Sequence, residues 1–123
     1  MYNILLVIPD FNLRQLYHDL LMTENTEIFP VAKLANAVLI ESISKVQAMV
    51  LHTDDIDPAE VKSFLRLQKR IEKFAGVKVA LLTADESMYM KCLTKGDTAI
   101  DISRSTPQET VARIRKMIAS RNS

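Results

Sequence analysis

With one cysteine and two histidines among 123 residues, the chain lacks the material for several common functions. Cys92 has no second cysteine to pair with, so no internal disulfide can form. With only His18 and His52 to join it, a cysteine-rich structural zinc site is excluded as well. No apolar run approaches the roughly 20 residues that a membrane helix needs. No basic-then-apolar leader precedes the first apolar run, and a reducing cytoplasm is therefore the expected compartment. Sixteen basic and 15 acidic residues leave a formal net charge of +1, which creates no field to draw in nucleic acid or an acidic membrane; neither is expected as a partner. The first apolar run is not followed by a glycine-rich phosphate loop, and no nucleophile–base pair stands out. Both absences weigh against a small enzyme or a ligand binder.

What remains is the composition of an ordinary globular domain, and residues 1–123 are read as one domain with one core. Asn3-Ile4-Leu5-Leu6-Val7-Ile8 is an unbroken apolar run closed by Pro9 and Asp10, the pattern of a strand buried on both faces. Leu13, Leu16, Tyr17, Leu20 and Leu21 then recur at helical spacing, with Asn12 placed to cap the first turn. Thr26 to Val31 predicts a second strand, which Pro30 confines to an edge. Lys33 to Ile43 predicts a helix, and Gln47 to His52 a second central strand. Asp57-Pro58 with Glu60 opens a third helix, whose inner face is Val61, Phe64, Leu65, Gln68 and Ile71 and which Gly76 ends. Its outer face carries Lys62, Arg66, Lys69, Arg70 and Lys73, read as a solvated stripe.

Val77 to Thr83 predicts a fourth strand, Asp85 to Lys95 a helix stopped by Gly96, and Ala99 to Ser103 a fifth strand of mixed polarity suited to an edge. Thr106-Pro107-Gln108-Glu109 is a cap, a first-turn proline and an acid three residues after the cap; the helix it opens buries Val111, Ile114 and Ile118. Strands and helices alternate through the whole chain with short connections. The expectation is an α/β doubly wound three-layer sandwich around a five-stranded parallel sheet.

Over essentially its whole length the sequence resembles a response-regulator receiver domain, the phosphoryl-accepting module of two-component signalling. The resemblance rests on Ile4-Leu5-Leu6-Val7 with Asp10 and Asn12-Leu13-Arg14, on Val79-Ala80-Leu81-Leu82-Thr83-Ala84, and on Gly96 with Thr106-Pro107-Gln108-Glu109 and Ala112-Arg113-Ile114. It implies a flavodoxin-like strand order of 2-1-3-4-5, with the strands near Ile4, Ile28, Met49, Ala80 and Ile100. It also implies where a receiver's chemistry would sit, and the residues there depart from the pattern. The two acids that hold magnesium in the family fall on Ile8 and Pro9, which leaves only Asp10. The phosphoacceptor position falls on His52 or, two residues later, on Asp54, and the sequence leaves that choice open. The family's lysine falls on Ser103 and its coupling aromatic on Ile100, so Thr83 is the one phosphate contact retained.

The leading expectation is therefore a degenerate receiver, with no catalytic residue, no metal and no cofactor, that acts through protein–protein contacts without phosphorylation. The alternative is a phosphoacceptor that uses Asp54 with altered metal use. His52 is read as a hydrogen-bonded polar group at a strand end rather than a nucleophile, and Asp10, Asp54 and Asp55 as solvated or capping acids. The resemblance places the working surface on the fourth helix, fifth strand and fifth helix, for a protein partner in a signalling complex or for a second copy of the chain. Its candidate residues are Met88, Tyr89, Met90, Ile100 and Arg104. The residues supply a reason of their own: Ser87-Met88-Tyr89-Met90-Lys91-Cys92-Leu93 holds more apolar side chains than one inward stripe can cover, and Met90 points away from Met88 and Cys92.

Overall fold

The computed structural model describes residues 2–37, 46–68, 77–94 and 98–119. Five parallel strands run through them: β1 (Tyr2–Val7), β2 (Thr26–Val31), β3 (Ala48–His52), β4 (Lys78–Thr83) and β5 (Thr98–Asp101), side by side in the order β2-β1-β3-β4-β5. Between them lie α1 (Phe11–Leu21), α2, of which residues 34–37 are described, α3 (Pro58–Gln68), α4 (Glu86–Thr94) and α5 (Pro107–Ala119). This is the order expected from the sequence. Pro30 sits in β2 and the mixed-polarity β5 closes the other side, both at edges, where a strand needs ladder partners on one flank only.

The period of two along β1 sorts its side chains between two helical layers. Ile4, Leu6 and Ile8 pack with Ala48, Val50, Ala80 and Leu82 of the neighbouring strands and with Tyr17 and Leu21 of α1 and Val111 and Ile114 of α5. Leu5 and Val7 pack on the opposite face with Leu34 and Ala37 of α2, Val61 and Phe64 of α3 and Cys92 of α4. Cys92 is a buried packing residue, as its helical spacing suggests. Each fully buried leucine, isoleucine or valine contributes about 1.5–3 kcal/mol relative to exposure. Among the described residues, no helix is long and apolar enough to cross a membrane.

Polar contacts fix the helices to the sheet. Thr106 and Glu109 form the reciprocal cap foreseen for α5: the Glu109 amide donates to Thr106 Oγ1 at 3.2 Å and the Thr106 hydroxyl donates to Glu109 Oε1 at 3.1 Å. At α1 the cap is Asp10 and not Asn12, because the helix already begins at Phe11; Asp10 Oδ2 accepts from the Leu13 amide at 2.8 Å. Tyr17 and Thr110 join α1 to α5, and burial pushes the Tyr17 hydroxyl pKa up against the smaller opposing pull of that hydrogen bond. The Lys78 ammonium donates to the carbonyls of Met117 and Ile118, a cation at the negative end of α5. The expected second helix beyond residue 37, Ile71, the basic Lys69, Arg70 and Lys73, the stops at Gly76 and Gly96, and the chain end at 121–123 lie outside the described residues.

Candidate functional site

The carboxyl ends of β1, β3, β4 and β5 open on one side of the sheet, the side on which doubly wound folds place their ligands. At the end of β1, Ile8 is 0% exposed inside the core, so it offers neither a charge nor an oxygen from its side chain. Its carbonyl and that of Pro9 both accept from Arg14 Nη1, at 2.8 and 3.2 Å. The guanidinium lies 5.5 Å from the ring centroid of Phe11, within cation–π range. Sequence reasoning missed this role of Arg14. The available signal was a cation in the first turn of a helix, where the macrodipole disfavours it unless a local acceptor compensates.

The end of β3 separates the two candidates for the acceptor position. His52 is the last residue of the strand, in register with Leu82 of β4, and is 5% exposed. Among the described residues, its buried Nδ1 has no hydrogen-bond partner, where the sequence suggested a hydrogen-bonded polar group. Asp54 lies in the turn beyond, exposed, and both of its oxygens are engaged. Oδ1 accepts from the Thr83 hydroxyl at 2.8 Å and Oδ2 from the Ala84 amide at 2.9 Å. These partners lie 29 and 30 residues away in sequence, brought across by the β3–β4 pairing.

Thr83 is fully buried at the end of β4, as its expected place in the crevice requires. Beside it, β5 ends at Asp101, paired with Thr83, and the Ile102 amide donates to the Thr83 carbonyl. Ser103 is tied to Asp101: its hydroxyl and its amide both donate to Asp101 Oδ1. That hydroxyl is the main influence holding the Asp101 carboxyl below the usual range. Slight desolvation opposes it, and the Ser103 amide, Arg104 and Arg113 reinforce it. Arg104 reaches Asp101 Oδ2 at 3.8 Å with its own side chain 79% exposed, a solvent-screened pair of small energetic weight.

These residues do not fit a magnesium ion. The ion needs carboxylates in octahedral reach, whereas Ile8 and Pro9 have none, their carbonyls already accept from Arg14, Asp10 Oδ2 accepts from the Leu13 amide as a helix cap, and both Asp54 oxygens accept from Thr83 and Ala84. Among the described residues, no group of three or more His, Cys, Asp or Glu could hold a metal. In chemical terms the crevice is braced by hydrogen bonds from Arg14, Thr83 and the Ala84 amide.

The candidate contact face behaves differently at each of its residues. Met90 is 54% exposed on α4, on the side opposite the buried Cys92, as the helical advance implies. Tyr89 and Met88 are half-buried, Met88 against the core, and Arg104 stands clear of the surface. Ile100 is the exception. It is 3% exposed and packs in the α1–α5 layer opposite Leu82, so it cannot be a contact residue; the alternation of β5 turns it inward. The Leu93 side chain, expected beside Met88, lies outside the described residues.

No protein-family model and no curated protein matches the sequence. Solved structures do match. A response regulator from Thermotoga maritima superposes with a TM-score of 0.75 at 18% identity, covering 98% of this chain and 99% of its own. A chemotaxis response regulator of Vibrio cholerae gives 0.77 at 12% identity, with 95% and 98% covered. An orphan response regulator of H. pylori gives 0.76 at 15% identity, with 95% and 96% covered. The fold is that of response-regulator receiver domains. At such identities the receiver likeness extends to the backbone alone, and the chemistry of the crevice has to be read from this chain's own side chains.

Proposed function

We propose that the chain is a receiver-like signalling module of two-component type that has lost the magnesium and phosphoacceptor site and acts by phosphorylation-independent protein–protein contact, without enzymatic activity. The observation that carries this reading is the end of β1, where the fully buried Ile8 and the half-buried Pro9, their carbonyls covered by Arg14, stand where the chemistry would need two carboxylates. Phosphoryl transfer depends on positioned charge, and each such contact is worth on the order of 10²–10³ in rate, so losing both the metal and the lysine removes most of the catalytic effect. The cytoplasm is the setting that fits this module.

The contact surface in this reading lies on α4, β5 and α5, with the exposed Met90 as a flexible apolar anchor and the exposed Arg104 beyond the end of β5. Its partner is a protein of the signalling complex or a second copy of the chain. Met90→Glu is expected to weaken association about tenfold or more by sedimentation, while the unfolding midpoint barely moves, because an exposed substitution costs within about 0.5 kcal/mol. Acetyl phosphate with magnesium is expected to leave association unaltered. Association that survives Met90→Glu, or a collapse of stability in that variant, would remove Met90 from the contact; association that requires the phosphodonor would favour Asp54 as a working acceptor.

A further inference from the structure

A continuous chain of hydrogen bonds leads from the turn after β3 to the helix that carries Met90. Thr83 has one hydroxyl proton and gives it to Asp54 Oδ1, while Thr83 Oγ1 itself accepts from the Asp85 amide at 3.0 Å. Ala84, between them, donates its amide to Asp54 Oδ2. Asp85 is in turn the cap of α4: Oδ1 accepts from the amides of Ser87 at 2.9 Å and Met88 at 3.3 Å, and its carbonyl accepts from Tyr89 at 3.0 Å. The link that starts this chain is a carboxylate, whose bonds are stronger than neutral ones, and it stands on a different loop from everything it holds.

We propose that the Asp54 carboxylate is a built-in anion that holds the end of β4 through Thr83 and Ala84 and so fixes the setting of α4, presenting the surface around Met90 in one arrangement with no added group. The inference deepens the function proposed above and rests on it only for the use of that surface. Asp54 is a positioning residue here, acting on the face it governs through Thr83 and Asp85. The second oxygen of the carboxylate matters as much as the first, because two donors from consecutive residues must be satisfied at once.

Backbone amide exchange on the full chain, followed by NMR, tests this. Asp54→Ala and the isosteric Thr83→Val are expected to speed exchange at Ser87, Met88 and Tyr89 about tenfold, with Leu6 and Leu51 in the central strands changing less than about twofold. Asp54→Asn, with one acceptor oxygen in place of two, is expected to fall between wild type and Asp54→Ala. Unchanged α4 amides in both Asp54→Ala and Thr83→Val would overturn the proposal. So would exchange that rises equally at Leu6 and Leu51, since that makes Asp54 a general stability residue; an asparagine variant indistinguishable from wild type would overturn the role of the charge. Association that survives Met90→Glu, with the exchange pattern as expected, would defeat the use of that surface proposed above and leave this coupling standing.

Discussion

Leu6→Ala is expected to destabilise the domain by about 2–5 kcal/mol, a large share of the roughly 5–15 kcal/mol that holds a domain together. Leu6 is fully buried on β1, the second strand of the sheet, with β2 and β3 on either side. Its side chain belongs to the layer that includes Val50, Leu82, Tyr17 and Ile114, contributed by two strands and two helices that are fixed by separate contacts. Such a site cannot close over a missing isopropyl group without moving several elements, so the cavity cost adds to the lost transfer energy. Urea denaturation should show a lower midpoint with an unchanged slope. A loss below about 1 kcal/mol would mean that β1 is not the central buried strand described here.

Ile8→Asp carries the second large effect and bears on function directly. Ile8 is 0% exposed and packs in the same layer as Leu6, so the substitution removes buried apolar area and places a carboxyl group in an apolar setting. Together these are expected to cost about 3–5 kcal/mol at neutral pH. Burial would raise the carboxyl's pKa in the folded state above its unfolded value, which makes the charged form the destabilising one. The deficit relative to wild type should therefore be full above the folded pKa and shrink as pH falls through it. Parallel urea series for wild type and variant across that range read the difference. An Ile8→Asp protein as stable as wild type at neutral pH would reveal a hydrated crevice still able to receive an acid, contrary to the packing seen at β1.

The frame of the molecule was legible because its signals are local. Two-faced apolar runs marked β1, β3 and β4, Pro30 marked an edge, and Thr106 with Glu109 marked the start of α5. The errors came where two local signals competed or where a resemblance was carried past the pattern. Asp10 and Asn12 both suit a cap, and only the actual first residue of the helix decides between them. Ile100 was assigned to the surface by likeness to a coupling aromatic, although Ile100 and Ile102 alternate with polar neighbours and so already announced an inward face.

The crevice was legible in the identity of its side chains and not in their contacts. That the Ile8 and Pro9 side chains carry no oxygen and Ser103 no charge follows from the sequence alone. That Arg14 covers the Ile8 and Pro9 carbonyls, that His52 Nδ1 is buried with no partner among the described residues, and that Asp54 is braced by Thr83 and Ala84 does not. These depend on side-chain reach across a strand pairing some 29 residues long in sequence, which no local pattern encodes.

The central claim, that this receiver-like fold works without phosphoryl chemistry, meets its most direct test in the intact mass of the protein after incubation with acetyl phosphate and magnesium. The account predicts an unchanged mass in wild type. A mass gain of one phosphoryl group that disappears in Asp54→Asn would contradict it and make Asp54 the acceptor.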